Sequence, residues 1–205
     1  RDVLGSRGLG DVYKRQVVSS DPTLKKFWLL HSIEEPTIEG NRFIVRRTKN
    51  GDTGMLQNHV LLPEAGNAQI EKVGGKGKEF WVFGTNYPND ALPNRPDDAN
   101  ERGAWRVEVS PAASATEDCF LNVMQVADNT CKRMHDVKRI DAEKVVGVQI
   151  ADRVVTFSRD SRPLSGKVDM KVDGNAAMKF VITDLIPGTW QIKKDGKVYI
   201  CLLYT

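Results

Sequence analysis

The chain has 205 residues, with 30 Lys+Arg against 27 Asp+Glu, a mean hydropathy of −0.41 and three cysteines. A net charge this close to zero gives no electrostatic footprint for nucleic acid, and no apolar run approaches the ~20 residues that a membrane helix needs. The length suffices for one or two buried cores.

The two ends differ in texture from the rest. Residues 1–16 (RDVLGSRGLGDVYKRQ) and 201–205 (CLLYT) look like translated sequencing-adapter read-through; the alternative is a flexible tail and a last strand. Both segments are set aside, as tags are, and on that reading the chain is expected to be part of a longer one on both sides. The first segment holds Arg1, Arg7, Lys14 and Arg15 against Asp2 and Asp11, which leaves 26 basic and 25 acidic groups (30 less four, 27 less two).

In chain order, residues 24–32 read as a strand with Phe27, Leu29 and His31 on one face and Trp28 and Leu30 on the other. His31 suits either a satisfied group at the end of a buried strand or a ligand or base. Turns at 34–36 and 39–41 bracket a short segment, and 42–48 is the next strand. Asn50-Gly51 is a strong hairpin signal, so 53–62 pairs back until Pro63 ends it. Arg46 and Arg47 read as a solvated strand end, or as cations for an anionic sugar. Residues 69–73 lead to Gly74-Gly75-Lys76-Gly77, which lacks the Gly-Lys-Ser/Thr of a phosphate loop.

Residues 74–111 organise the first half. The run 78–83, rich in aromatic and β-branched residues, predicts a short strand buried on both faces. Residues 104–109 alternate, with Trp105, Val107 and Val109 on one face and Arg106 and Glu108 on the other. Between these lies a 19-residue connection, 85–103, with three Pro, four Asn and three Asp. That is far longer than a hairpin loop, and loops of such length are functional or disordered. Its base carries Asn86 and Tyr87, and Arg95 and Arg102 lie within it. An Asn amide can bond sugar hydroxyls or a carboxylate, a Tyr ring can stack on a pyranose, and two Arg add charge for an anionic polymer. The alternative is that Asn86 caps a turn and Tyr87 packs on the sheet rim.

Residues 118–127 form a further strand, and the polar stretch 129–144 reads as a linker. Strands at 145–150, 153–158, 167–172, 178–183 and 189–193 follow at roughly ten-residue spacing, which indicates a second sandwich. Cys119 starts an extended run and Cys131 lies beyond its end. At ~3.3 Å per residue they stand more than ~25 Å apart, so both read as free thiols. No catalytic constellation and no metal-ligand spacing stands out. The fold class is all-β, with antiparallel sandwich sheets in two consecutive units, 17–128 and 145–200.

Three stretches carry a family resemblance. Lys78-Glu79-Phe80-Trp81-Val82, Asn86-Tyr87-Pro88 and Gly103-Ala104-Trp105-Arg106-Val107-Glu108-Val109-Ser110-Pro111 resemble the post-catalytic β-region of heparinase II/III-type bacterial polysaccharide lyases. Phe27-Trp28-Leu29-Leu30-His31-Ser32 and Leu61-Leu62-Pro63 look like neighbouring strands of that family. Ile182-Thr183-Asp184-Leu185-Ile186-Pro187-Gly188-Thr189-Trp190 resembles its small C-terminal sandwich. The resemblance implies a lyase that cleaves uronate-containing acidic polysaccharide by β-elimination in the periplasm or outside the cell. Both β units would be truncated relative to the full-length family. The catalytic Tyr, His and Asn or Glu belong to an N-terminal α/α toroid and to the first β strands, expected upstream of Asp21. Catalytic residues in this segment are therefore none, and so are cofactors; a structural metal of some members would have its ligands upstream too. The implied partners are acidic polysaccharide and the toroid, with no nucleic acid and no membrane span. The alternative is a non-catalytic carbohydrate-binding or structural β-sandwich module.

Overall fold

Short alternating segments punctuated by Gly, Pro and Asn leave no room for a helical period, and the fold follows. The computed structural model describes residues 10–47, 51, 53–87, 104–174 and 177–203. These hold sixteen strands and no helix. They divide into two units, Arg1–Val137 and Lys138–Thr205.

The first unit packs two antiparallel sheets face to face. Sheet A runs β1 (Asp11–Val18), β10 (Glu117–Ala127), β5 (Gly54–Leu62), β4 (Arg42–Arg47), β3 (Thr37–Glu39). Sheet B runs β2 (Trp28–Ser32), β9 (Trp105–Pro111), β6 (Ala68–Gly74). Between them Phe43, Val60 and Phe120 of sheet A meet Val107 and Val109 of sheet B, all fully buried. Trp28, Leu30, Leu56 and Ile70 pack around this group, so the face of β2 with Trp28 and Leu30 and the face of β9 with Val107 and Val109 are the inner ones. Lys26 and Asp118 close one end of the sandwich. Their ion pair, at 3.0 Å, leaves side chains only 4% and 11% exposed, and Lys26 also donates to the Ala115 carbonyl.

Several sequence expectations are corrected. Residues 11–16, set aside as appended sequence, form most of β1, in register from Asp11 opposite Met124 to Val18 opposite Glu117. The run 78–83 is not a doubly buried strand. Only Trp81–Val82 (β7) is extended, in a tight hairpin with Thr85–Asn86 (β8). Gly75, Gly77 and Gly84 all take positive φ there, which turns the chain before a sheet can accept it. His31 is exposed on the outer face of β2 rather than buried. Residues 129–144, expected as linker, contain β11 (Val137–Asp141). The stretch before β11 is tied to sheet A by Gln125, whose buried carboxamide donates to the His135 carbonyl and accepts from the His135 N–H.

The second unit contains a four-stranded sheet, β11–β12 (Val145–Ile150)–β13 (Arg153–Ser158)–β14 (Lys179–Ile182), and the hairpin β15 (Gly188–Lys194)–β16 (Lys197–Leu203). Residues 201–203, also set aside, lie in β16. The β13–β14 pair is parallel. It occupies the edge of β13 not taken by β12, and 167–172 is not a strand as predicted. Val145, Val146, Val148, Ile150, Val154 and Val155 are buried on both faces of this sheet. Asp184 fastens its end. In left-handed backbone (φ +61°) it accepts Ser158 N–H at 2.8 Å and the Thr183 hydroxyl at 2.9 Å, and its carbonyl accepts Leu164 N–H. Cys119 and Cys131 are free thiols.

Removing the Asp184 acceptor by Asp184→Ala strands a donor on a buried residue and is expected to cost about 1–3 kcal/mol, read as a lower denaturant midpoint. On sheet A, His59 lies opposite Arg42. Burial first and the Arg42 charge second lower its pKa, with Asp136 opposing. A depressed histidine pKa means that folding favours the neutral ring. The contribution is complete above the unfolded pKa of about 6.5 and is lost as pH falls through the folded value. His59→Gln should therefore lose less stability than the parent between neutral and mildly acidic pH. A third expectation concerns β6 and β9. A methyl on Gly75 (φ +79°) would meet the Trp105 indole at 2.9 Å, whereas one on Gly77 (φ +82°) meets nothing within 4 Å. Both alanine variants bear left-handed strain of about 1 kcal/mol; Gly75→Ala adds about 1–3 kcal/mol of overpacking, which paired denaturation curves would separate.

Candidate functional site

Strand register gathers the features of interest at the other end of the first sandwich. Ser32 at the end of β2 faces Trp105 at the start of β9, and Trp105 faces Gly74 at the end of β6. The chain leaves sheet B at Gly74 and returns at Trp105, so the whole excursion between them springs from this end. A methyl on Gly74 would meet Trp105 Cα at 2.7 Å, which is why the exit needs glycine. Lys72 braces the same end. Its ammonium pairs with Glu35 at 2.6 Å, donates to the Pro36 carbonyl and lies 5.8 Å from the centroid of the Trp105 ring.

At this end opens a pocket of about 410 Å³, lined by Leu30, His31, Ser32, Ile33, Glu34, Val45, Arg47 and Leu56. Its walls are mostly apolar. It brings together His31 and Arg47, which the sequence singled out separately.

The hairpin β7–β8 stands on the excursion. Asn86, a predicted binding residue, is spent on the hairpin itself. Its Oδ1 accepts Phe80 N–H at 2.8 Å and its Nδ2 donates to Glu79 at 3.3 Å. This is the turn-holding alternative given above. The Glu79 carboxylate also accepts Gly77 N–H, and backbone N–H groups hold its pKa below the usual carboxylate range. Tyr87 is exposed, not packed on the rim; its N–H donates to the Phe80 carbonyl. Arg95 and Arg102 lie outside the described residues. Sequence reasoning missed Phe83, which is wholly exposed at the hairpin tip. The positive-φ Phe-Gly pair is a signal that could have found it. It also missed Lys78, whose ammonium lies 5.4 Å from the Trp81 ring centroid.

Among the described residues no cluster of three or more His, Cys, Asp or Glu is placed to hold a metal, and no helix is long and apolar enough to cross a membrane. No curated protein matches the chain. Residues 139–202 match the family model described as the heparinase II C-terminal domain. That match lies wholly within the second unit, which is similar to the heparinase-type C-terminal domains.

Proposed function

We propose that this chain is the C-terminal β-sheet portion of a polysaccharide lyase that cleaves uronate-containing acidic polysaccharide, heparin/heparan sulfate-like or alginate-like, by β-elimination. The observation that carries this reading is the heparinase II C-terminal match over residues 139–202. It follows directly, in the same chain, a two-sheet sandwich whose strands bear the post-catalytic resemblance. The parent enzyme would be periplasmic or secreted.

The chemistry sets the division of labour. β-Elimination removes the proton α to a uronate carboxylate and expels the glycosidic oxygen. That needs a positioned base and a group that neutralises the carboxylate. His31 is on the outer face of sheet B, His59 is held towards its neutral form beside Arg42, and His135 meets Gln125 through its backbone. The base, acid and neutraliser are assigned to an N-terminal α/α toroid, and any structural metal to ligands on that side. This segment backs the toroid and supplies one wall of the cleft, with Tyr87 and the 85–103 excursion facing it.

The test compares this chain with a longer form carrying the helical segment, on heparin, heparan sulfate, alginate and hyaluronan. The readout is the ultraviolet absorbance of unsaturated uronate. Turnover is expected only from the longer form. Turnover by this chain alone, or none from the longer form on any of the four, overturns the proposal.

A further inference from the structure

The tip of the β7–β8 hairpin is built at a cost that its own fold does not recover. Val82 pairs with Thr85, so Phe83-Gly84 is a two-residue loop. Both residues have positive φ, +46° and +85°, the hairpin geometry that favours Asn-Gly or Gly-Gly. A phenylalanine there bears left-handed strain, and its ring is fully exposed at 101%. Val82 and Tyr87 beside it are 43% and 57% exposed. The base, by contrast, is rigid: the Asn86 carboxamide, the Glu79 carboxylate and the Phe80 main chain lock it together. A strained, exposed aromatic on a stiff support points to a ligand.

Charge indicates which ligand. Between Gly75 and Tyr87 the ionic groups are Lys76, Lys78 and Glu79. Glu79 is engaged inward by Gly77 N–H and Asn86, while Lys76 and Lys78 are exposed. The hairpin therefore presents an exposed aromatic tip, and the chain leading into it presents two exposed lysines, Lys78 with its ammonium 5.4 Å from the Trp81 ring centroid. Pyranose rings of an acidic polysaccharide present the complement, apolar C–H faces flanked by carboxylate or sulfate.

We propose that this hairpin is a contact for an acidic polysaccharide chain, with Phe83 and Tyr87 stacking on sugar faces and Lys76 and Lys78 pairing with its anionic groups. The inference rests on the substrate class proposed above and places its grip on residues outside the catalytic machinery.

The test uses the whole chain and measures binding to heparin and alginate, with dextran as the uncharged control, by calorimetric titration. Phe83→Asn restores the Asn-Gly loop that this turn prefers, so its melting temperature should equal or exceed the parent's. Its affinity for both anionic polymers should fall roughly tenfold, the scale of one lost aromatic contact. Lys76→Gln with Lys78→Gln should weaken binding and flatten its salt dependence, and dextran should bind far more weakly than either polyanion. The proposal is overturned if the parent binds neither polyanion or if Phe83→Asn binds like the parent. It is equally overturned if that variant melts several degrees lower, which makes the ring a packing residue, or turns a dimer into a monomer, which makes a second copy the occupant. Binding is read without turnover, so it can succeed where the lyase assay fails, and fail where it succeeds.

Discussion

The first unit depends on the contact of Val107 and Val109 with Phe120, Val60 and Phe43. β9 is the middle strand of sheet B, and β10, next in sequence, lies between β1 and β5 in sheet A. One short connection thus carries the chain from the central strand of sheet B to an inner strand of sheet A, and the five side chains are where the two sheets touch. Each contributes about 1.5–3 kcal/mol on burial. Without them the sheets would have nothing to face. The ends of the sandwich then follow from what can be fitted around this layer: the Lys26–Asp118 pair at one, the pocket and the Trp105 exit at the other.

Inside the same layer Asn58 donates to Asn122 at 2.9 Å, both residues being fully buried. Asn58 Oδ1 and Asn122 Nδ2 find no partner. A half-satisfied buried pair is a poor source of stability. It does discriminate between registers. β5 carries one extra residue, Leu61, where its partner shifts from Leu121 to Asn122. Any slip that cancelled this shift would separate the two amides and leave both unpaired in an apolar layer, a larger penalty than the native arrangement bears. Register in turn fixes where β9 starts and β6 ends, and so where the excursion emerges.

How much of this was legible follows from the range of each interaction. Alternation grouped Trp28 with Leu30 and Val107 with Val109, because a strand writes its faces into its own sequence; which face of β2 turns inward is decided by the facing sheet. The parallel pairing of β13 with β14 is non-local and writes nothing, so the polar alternation of 167–172 was read as a strand that does not form. The apolar run 78–83 was read as buried because composition reports hydrophobicity, not location; three glycines with positive φ determine the location. At the site, the sequence singled out Tyr87, and the structure leaves that side chain exposed. For Asn86 the sequence offered two readings, sugar contact or turn cap, and the amide bonds the Phe80 main chain and the Glu79 carboxylate as a turn cap does.

The family match and the proposed contact lie in different parts of the chain. The stretch 182–190, which resembles the small C-terminal sandwich, lies within the matched residues 139–202, and its residues act as fasteners. Asp184 binds Ser158 and Thr183, and Trp190 Nε1 donates to the Ile186 carbonyl at 2.9 Å. Such a motif reports a fold, because its bonds close only when β13 and the 164–186 segment are in place. The hairpin tip reports the opposite. No bond of the unit needs Phe83, and its backbone would be less strained with another residue. Where a fold bears a local cost that none of its own contacts recovers, the compensating contact is to be sought outside it.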